Sequence, residues 1–576
     1  MKFIAGCVGR VRACIPSALG MIALLSPMTA LRAEASDSYA LVNGAVYGAD
    51  GWSSALAVSN GTIVAVGDEK SVRRALASDA KVVDLKGATV FPGFHDLHVH
   101  PAMAGALLSS CGFPQTADVV ALRAALAACV KAAKPGAWIQ GGQWTAAQFK
   151  PVEINRRTLD AIAPDNPVAI VDTSGHSLWV NSNALALAGI TGATADPDGG
   201  IIEKDKAGEP TGLLRDSAAA IVRAVIPAAT PEDVLSSLRK ALAIMAQNGI
   251  TALEDAIIRA DNLGAYMALA DAGELRQRVR GCLVWGHENP DFDRLLANRA
   301  SYTRPHFKLD CVKVFMDGVP TESHTSAMLE PYAPSGSGQK GGAPDRGLLM
   351  IPPSVIDPLV TRLDREQVLV KFHAAGDWAV RAAMDAVEAA RDANGTGGPH
   401  HQVGHLTFVN QDDFKRAPGL GVTLEFSPYL WFPQPIVTDI EAAVGKERNL
   451  RGWPVREGLE TGALVIAGSD WPIVPSVNPW IAIETLVTRR VPGGGDEAYG
   501  VREAITLEQA IRLFTSNGAK AFGDPDGSGT ITTGAPADLI VVDGNPFKMP
   551  ITQVHAIKVL RTIVGGETVF DASANH

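Results

Sequence analysis

The sequence has no Lys- or Arg-rich run, and its formal charge is −10. Nucleic-acid backbones are bound through clustered cations, so that class of partner is not expected. Charged residues make up only 19% and hydrophobic residues 47%. This composition excludes a disordered chain and supplies a large core. No internal repeat is evident, which argues against a solenoid. No CxxC spacing occurs among the six cysteines. Beyond the N-terminal segment, no stretch reads as membrane-spanning.

That N-terminal segment is what the rest of the chain is not. Lys2, Arg10 and Arg12 give a basic start, Cys14 to Ala30 is mostly apolar, and Ala33-Glu34-Ala35 fits a small-x-small cleavage site. Residues 1–35 therefore read as a secretory signal peptide, and the expected location is secreted or periplasmic. Pro16, Gly20 and Pro27 interrupt the apolar run, so it suits an uncleaved anchor poorly. Its removal leaves 47 basic and 60 acidic residues, a charge of −13. Four cysteines remain. Cys111 and Cys129 are the expected pair if one forms, and Cys282 and Cys311, set in apolar runs, read as buried thiols.

Residues 36–90 read as short strands, with turn signals at Asn43-Gly44 and Asn60-Gly61. Residues 522–576 repeat that texture. One small β-sandwich built from both termini is expected. Between them, residues 91–521 alternate strand and helix, the pattern of a parallel sheet. Eight candidate strands are Val90–His100, Thr251–Ala256, Val279–Trp285, Cys311–Asp317, Leu369–Ala375, Gln402–Phe408, Gly421–Ser427 and Ala463–Asp470. Eight strands close a (β/α)8 barrel. The first two lie about 150 residues apart, too far for one crossover, so an inserted α/β subdomain is expected over about 101–230. Two Gly/Pro-rich stretches, Ala333–Gly347 and Pro492–Gly500, read as lids or as plain surface loops.

Phe91-Pro-Gly-Phe-His-Asp-Leu-His-Val-His100 is the stretch around which the chemistry gathers. His98 and His100 are two apart, so on a strand they share a face and make a ready pair of metal ligands. An isolated His-x-His needs no metal. What changes the reading lies downstream: Lys313, His373, His405 and Asp470 sit in, or just past, apolar strands. Strand C-termini of a barrel converge on one face, so these residues should meet. A buried Lys or Asp is costly unless paired or metal-bound.

This pattern resembles the amidohydrolase superfamily, specifically its YtcJ-like branch (amidohydrolase family 3). Further landmarks are Gly175-His-Ser-Leu-Trp-Val-Asn-Ser182, Asp198-Gly-Gly-Ile-Ile-Glu203, Gly208-Glu-Pro-Thr-Gly-Leu-Leu214, His373-Ala-Ala-Gly-Asp377, Gly468-Ser-Asp-Trp-Pro472 and Pro536-Ala-Asp-Leu-Ile-Val-Val-Asp543. The resemblance implies that His98 and His100 bind the more buried metal. It implies that a carboxylated Lys313 bridges two metals and that His373 and His405 hold the second. Asp470 would ligate the first and take the proton of the attacking water. Zinc, one or two ions, is the expected cofactor, with Mn, Fe or Co as alternatives. His176, His324 and Trp471 are candidate substrate contacts. Two departures stand out: Gly404 where the branch has Glu, and Trp378 where it often has Arg.

The expected function is hydrolysis of an amide-type C–N bond in a small organic substrate by metal-bound hydroxide, with Asp470 as proton shuttle. A cyclic amide, ester or carbamate is the alternative substrate, and hydration or isomerisation the alternative chemistry. A non-catalytic periplasmic binder would not need Asp470. Assembly as a homodimer is left open.

Overall fold

The computed structural model describes residues 38–113, 118–144, 149, 154–172, 177–197, 200–286, 289–321, 324–333 and 344–575. The expected signal peptide lies outside the described residues.

Eight parallel strands form one sheet in sequence order. They are Phe94–Val99, Ile250–Ile258, Arg278–Val284, Phe307–Phe315, Leu369–Ala374, Gln402–His405, Thr423–Phe426 and Leu464–Ala467, the first to eighth barrel strands. Helices cover the outer face, so these strands are buried on both sides and read as apolar runs. The eighth strand meets the first just past its end. Asp470 N donates to His98 O at 2.6 Å, and His100 N donates to Trp471 O at 2.9 Å. The result is a nearly closed (β/α)8 barrel.

Local signals explain where the outer helices begin. In the helix Pro231–Gln247, Thr230 Oγ1 accepts from Asp233 N, and the Asp233 carboxylate accepts from Thr230 N. This reciprocal cap satisfies two donors that the helix itself leaves orphaned. Gly249, at φ +80°, then turns the chain into the second barrel strand. Thr506 and Gln509 build the same cap on Leu507–Phe514.

The two ends of the chain share a β-sandwich. One sheet has four strands from residues 39–84. The other has six: Ala45–Gly48, Gly51–Ser53 and Thr89–Pro92 join Leu539–Val542, Val559–Val564 and Glu567–Asp571. Thr89–Pro92 runs antiparallel to Leu539–Val542. Leu41, Leu56 and Ile63 pack with Val90, Leu539 and Ile563 in one core. Between the first two barrel strands stands a mixed six-stranded sheet, Cys111 to Asp216, with the helix Val119–Ala132. It has its own core around Trp144 and Trp179. Among the described residues, no helix is long and apolar enough to cross a membrane.

Several expectations need correcting. Val90–His100 is two strands in two sheets, broken at Gly93, whose N–H donates to Asp538 O at 2.9 Å. Asn43-Gly44 connects the two small sheets, whereas Asn60-Gly61 does close a hairpin. Cys282 and Cys311 are not thiols. They face each other in register on the third and fourth barrel strands and form a disulfide, with Cα atoms 4.2 Å apart. Cys111 and Cys129 form the other. Pro492–Gly500 is a tethered loop: Gly493 N donates to Glu484 at 2.8 Å, and Tyr499 is buried with its hydroxyl on Asn449. Most of Ala333–Gly347 lies outside the described residues.

Gly93 joins sandwich to barrel, and a Cβ there would lie 2.3 Å from the Thr251 side chain. Gly93→Ala is expected to destabilise the protein by about 1–3 kcal/mol through overpacking, with partial recovery in Gly93→Ala/Thr251→Ala. Thermal unfolding midpoints of the two variants check this; an unchanged midpoint in the single variant refutes it.

Candidate metal centre

Five barrel strands deliver the polar residues singled out above. His98 lies on the first strand and His100 just beyond it. Lys313 is on the fourth, His373 on the fifth, and His405 ends the sixth. Asp470 follows the eighth. The structure brings all six together. Lys313 Nζ is 3.0 Å from His98 Nε2. Asp470 Oδ1 is 3.0 Å from His100 Nε2 and 3.9 Å from His98 Nε2. The His405 ring centroid is 4.7 Å from that of His98 and 4.2 Å from that of His373.

The backbone is bent to achieve this. Asp470 has φ +61°, His405 +71° and Leu406 +44°. Such left-handed conformations in non-glycine residues cost on the order of 1–3 kcal/mol each and persist only where the surroundings hold them. Here the hydrogen bond from Asp470 N to His98 O is one such restraint.

Burial sets the charge states. It holds His98 and His405 well below the usual imidazole range, with Lys313 adding to the effect at His98 and His373 at His405. His373 is brought down to about 4 by burial and by Lys313. Lys313 itself comes down to about 7, because it is buried with the Lys371 ammonium nearby. At neutral pH these three rings are uncharged and carry a free lone pair, the form that binds metal. His405 Nε2 and His100 Nδ1 are buried with no hydrogen-bond partner among the described residues. Ligand atoms of His98, His100 and Asp470 all lie within 4.8 Å of one another. Neutral imidazoles with a carboxylate fit a divalent cation.

The sequence signature of the amidohydrolase family matches residues 81–570. The chain belongs to the amidohydrolase family. It is 28% identical over 528 residues to a Bacillus subtilis protein named as amidohydrolase YtcJ, covering 90% of this chain and 96% of that one. It is 28% identical over 537 residues to an N-substituted formamide deformylase of Arthrobacter pascens, covering 89% and 94%. An uncharacterized metal-dependent hydrolase from Pyrococcus horikoshii has the same fold, with a TM-score of 0.71 at 23% identity over 89% of this chain and 99% of that one.

Beneath the cluster, this amidohydrolase carries a ladder of buried charge that sequence reasoning did not single out. Glu425, on the seventh strand, accepts from His98 Nδ1 at 2.6 Å. Lys371 lies 3.6 Å from Glu425 and 3.2 Å from Glu254. Glu254 pairs with Arg280 at 2.6 Å, and Arg280 reaches Asp310 at 2.8 Å. Glu254, Lys371 and Glu425 are completely buried. The available signal was the one that exposed Lys313: a lone charge inside an apolar strand. Two further carboxyls act as braces. Asp96 accepts from Ser469 N and His98 N, and Asp317 from Ala327, Ala375 and Gly376 N–H groups. Burial raises both to about 7.

His176 lies outside the described residues. His324 stacks on Tyr332, centroids 4.1 Å apart, and bonds Asp345 at 2.7 Å. Trp471 is buried in the barrel core. His401 is wholly buried on Asp364, while His400 is exposed. His95, an odd number of positions from His98 on the same strand, points to Asp524, away from the cluster. Beside His100 opens a cavity of about 340 Å³, lined among others by Ala102, Met103, Val234, Ile257 and Arg259.

Lys371 is the shared counter-charge of two buried carboxylates. Lys371→Met keeps its bulk and removes the charge, and is expected to destabilise by about 3–5 kcal/mol. Urea denaturation checks this; wild-type stability would show that Glu254 and Glu425 do not depend on it.

Proposed function

We propose that this amidohydrolase is a metal-dependent enzyme that cleaves an amide-type C–N bond of a small organic molecule. The observation that carries the reading is the placement of Asp470. Its carboxylate lies against His100 and near His98, on the same floor as Lys313, His373 and His405. His98, His100, His373, His405 and Asp470 would hold one or two divalent ions, zinc by the chemistry of the donors. Such an ion lowers the pKa of a coordinated water to about 7 and polarises a carbonyl oxygen.

The chain's own residues do the rest. Lys313, at about 7, is substantially a neutral amine at neutral pH. A neutral amine adds to carbon dioxide to give a carbamate and one released proton, and the carbamate oxygens can serve two ions where an amine serves at most one. Asp470 is the proton carrier. It accepts the proton of the attacking water and delivers it to the leaving nitrogen, which needs only hydrogen-bond reach. Its side chain keeps some exposure, at 15%, whereas Lys313 is fully buried. That exposure leaves the carboxylate reachable from outside the cluster.

The cavity beside His100 would take the part of the substrate that does not react. Its alanine, methionine, valine and isoleucine walls suit an apolar substituent, and about 340 Å³ suits a small molecule. The Arthrobacter relative's name points to N-substituted formamides, and N-acyl amines share that bond. The N-terminal signal pattern, together with disulfides Cys111–Cys129 and Cys282–Cys311, favours an exported protein in an oxidising compartment.

Amine and acid release from a panel of N-substituted formamides, other amides, esters and lactams, with metal analysis of the same sample, tests the reading. Release confined to esters refutes the bond assignment; turnover confined to lactams restricts it to cyclic amides. Asp470→Asn should lower turnover by roughly 10²–10⁴-fold; unchanged turnover removes its role as proton carrier. Lys313→Ala should lower metal content per chain, and added bicarbonate should not restore it; full metal occupancy in that variant removes the bridging role.

A further inference from the structure

We propose that Glu425 is the positioning residue for His98, and that residue 404 is glycine because the Glu425 carboxylate fills the space above its Cα. The proposal rests on the metal-centre reading and extends it to two residues that touch no reacting atom.

An imidazole offers a metal one nitrogen only when the other carries the proton, and the partner of that second nitrogen decides which is which. At His98 the partner is Glu425, whose Oε2 lies 2.6 Å from Nδ1. A carboxylate accepts, so Nδ1 donates. The lone pair is then on Nε2, the atom that faces Lys313 at 3.0 Å and Asp470 at 3.9 Å. The same contact fixes the ring plane. Both groups are buried, so water does not compete for either.

The carboxylate that holds His98 lies against Gly404 of the neighbouring sixth strand. Gly404 and Glu425 are register partners on neighbouring strands. A Cβ on residue 404 would lie 2.3 Å from Glu425 Oε2 and 3.2 Å from Phe372 O. Backbone conformation does not demand glycine, since Gly404 is not among the residues with positive φ. Space does. The other polar contacts of Glu425 are Lys371 Nζ at 3.6 Å and Ser427 Oγ at 3.4 Å, so Lys371 supplies its counter-charge. Glu425 thus has two separable jobs: an acceptor for His98, and an anion for Lys371.

Those two jobs make the test. Metal-stripped full-length protein is titrated with zinc against a chromophoric chelator, and the thermal midpoint of the metal-free protein is recorded beside it. Glu425→Ala should weaken zinc binding about 10–100-fold. Glu425→Gln keeps an oxygen acceptor and should stay within about threefold of wild type. Both remove the anion beside Lys371, so both should lower the metal-free midpoint similarly. Gly404→Ala keeps every charge but displaces the carboxylate, so it should weaken zinc binding as Glu425→Ala does. In the Glu425→Ala background it should add nothing further. Wild-type zinc affinity in Glu425→Ala, equal weakening in Glu425→Gln and Glu425→Ala, or an additive effect of Gly404→Ala each overturns the proposal while leaving the metal centre intact. No zinc binding by wild-type protein overturns both. If Glu425→Ala does not fold, wild-type affinity in Gly404→Ala alone overturns it.

Discussion

The structure depends on one seam, where the eighth barrel strand returns to the first. Along it, Asp470 N donates to His98 O, His100 N to Trp471 O, and Ser469 N to the Asp96 carboxylate. Gly468 lies so close that a Cβ would fall 2.4 Å from His98 Cβ. Residues some 370 positions apart are therefore held by backbone contacts as well as by the side-chain contact between His100 and Asp470. The left-handed backbone of Asp470 follows from the same contact. A site built this way is positioned before anything binds, and preorganisation is what a catalytic constellation needs.

The second constraint is electrostatic. A barrel interior filled with apolar side chains would be easier to stabilise than one holding Glu254, Lys371, Glu425 and Arg280, since a buried ion pair often does no better than a hydrophobic replacement. The cost is contained because each charge has a partner within 3.6 Å and because Gln402 spans Lys371 and Glu254. The ladder also has an outlet. Asp310, at its far end, is 40% exposed, so the chain of charge does not end in the dry interior. Lys371 supports Glu425 and lowers the proton affinity of Lys313. One ammonium thereby influences both the orientation of His98 and the neutrality of the lysine above it.

What could be read from the sequence follows from what each feature depends on. All eight barrel strands were legible, because strands buried on both faces stand out as apolar runs between turn signals. The caps at Thr230 and Thr506 are written locally, in Thr230-Pro-Glu-Asp233 and Thr506-Leu-Glu-Gln509, because a cap is a local arrangement. The break at Gly93 was missed, because only the pairing of Thr89–Pro92 with the distant C-terminal strand shows that one sheet has ended. The Cys282–Cys311 disulfide depends on lateral register between neighbouring strands, which a separation of 29 residues does not reveal. Glu425 was hidden for the same reason. Its meaning lies in the residue beside it across the sheet, and Gly404 was visible only as a departure.

Taken together, these features divide the barrel interior into three levels with different chemistry. At the C-terminal end of the strands, the imidazoles gather around one partly exposed carboxylate, and His100 borders the cavity. In the middle, opposite charges pair and hold the upper level in place. At the other end, Arg280 donates to the carbonyls of Ala521 and Phe522, and Arg280 and Lys308 lie over the Phe522 ring at 5.1 and 4.4 Å. That lower level stoppers the barrel with the end of the helix Ser516–Phe522, the last before the chain re-enters the sandwich. The composite sandwich thus does more than tie the termini together. By fixing the segments on both sides of the barrel, it anchors the first strand, which carries His98, and the stopper beneath the charge ladder that supports it.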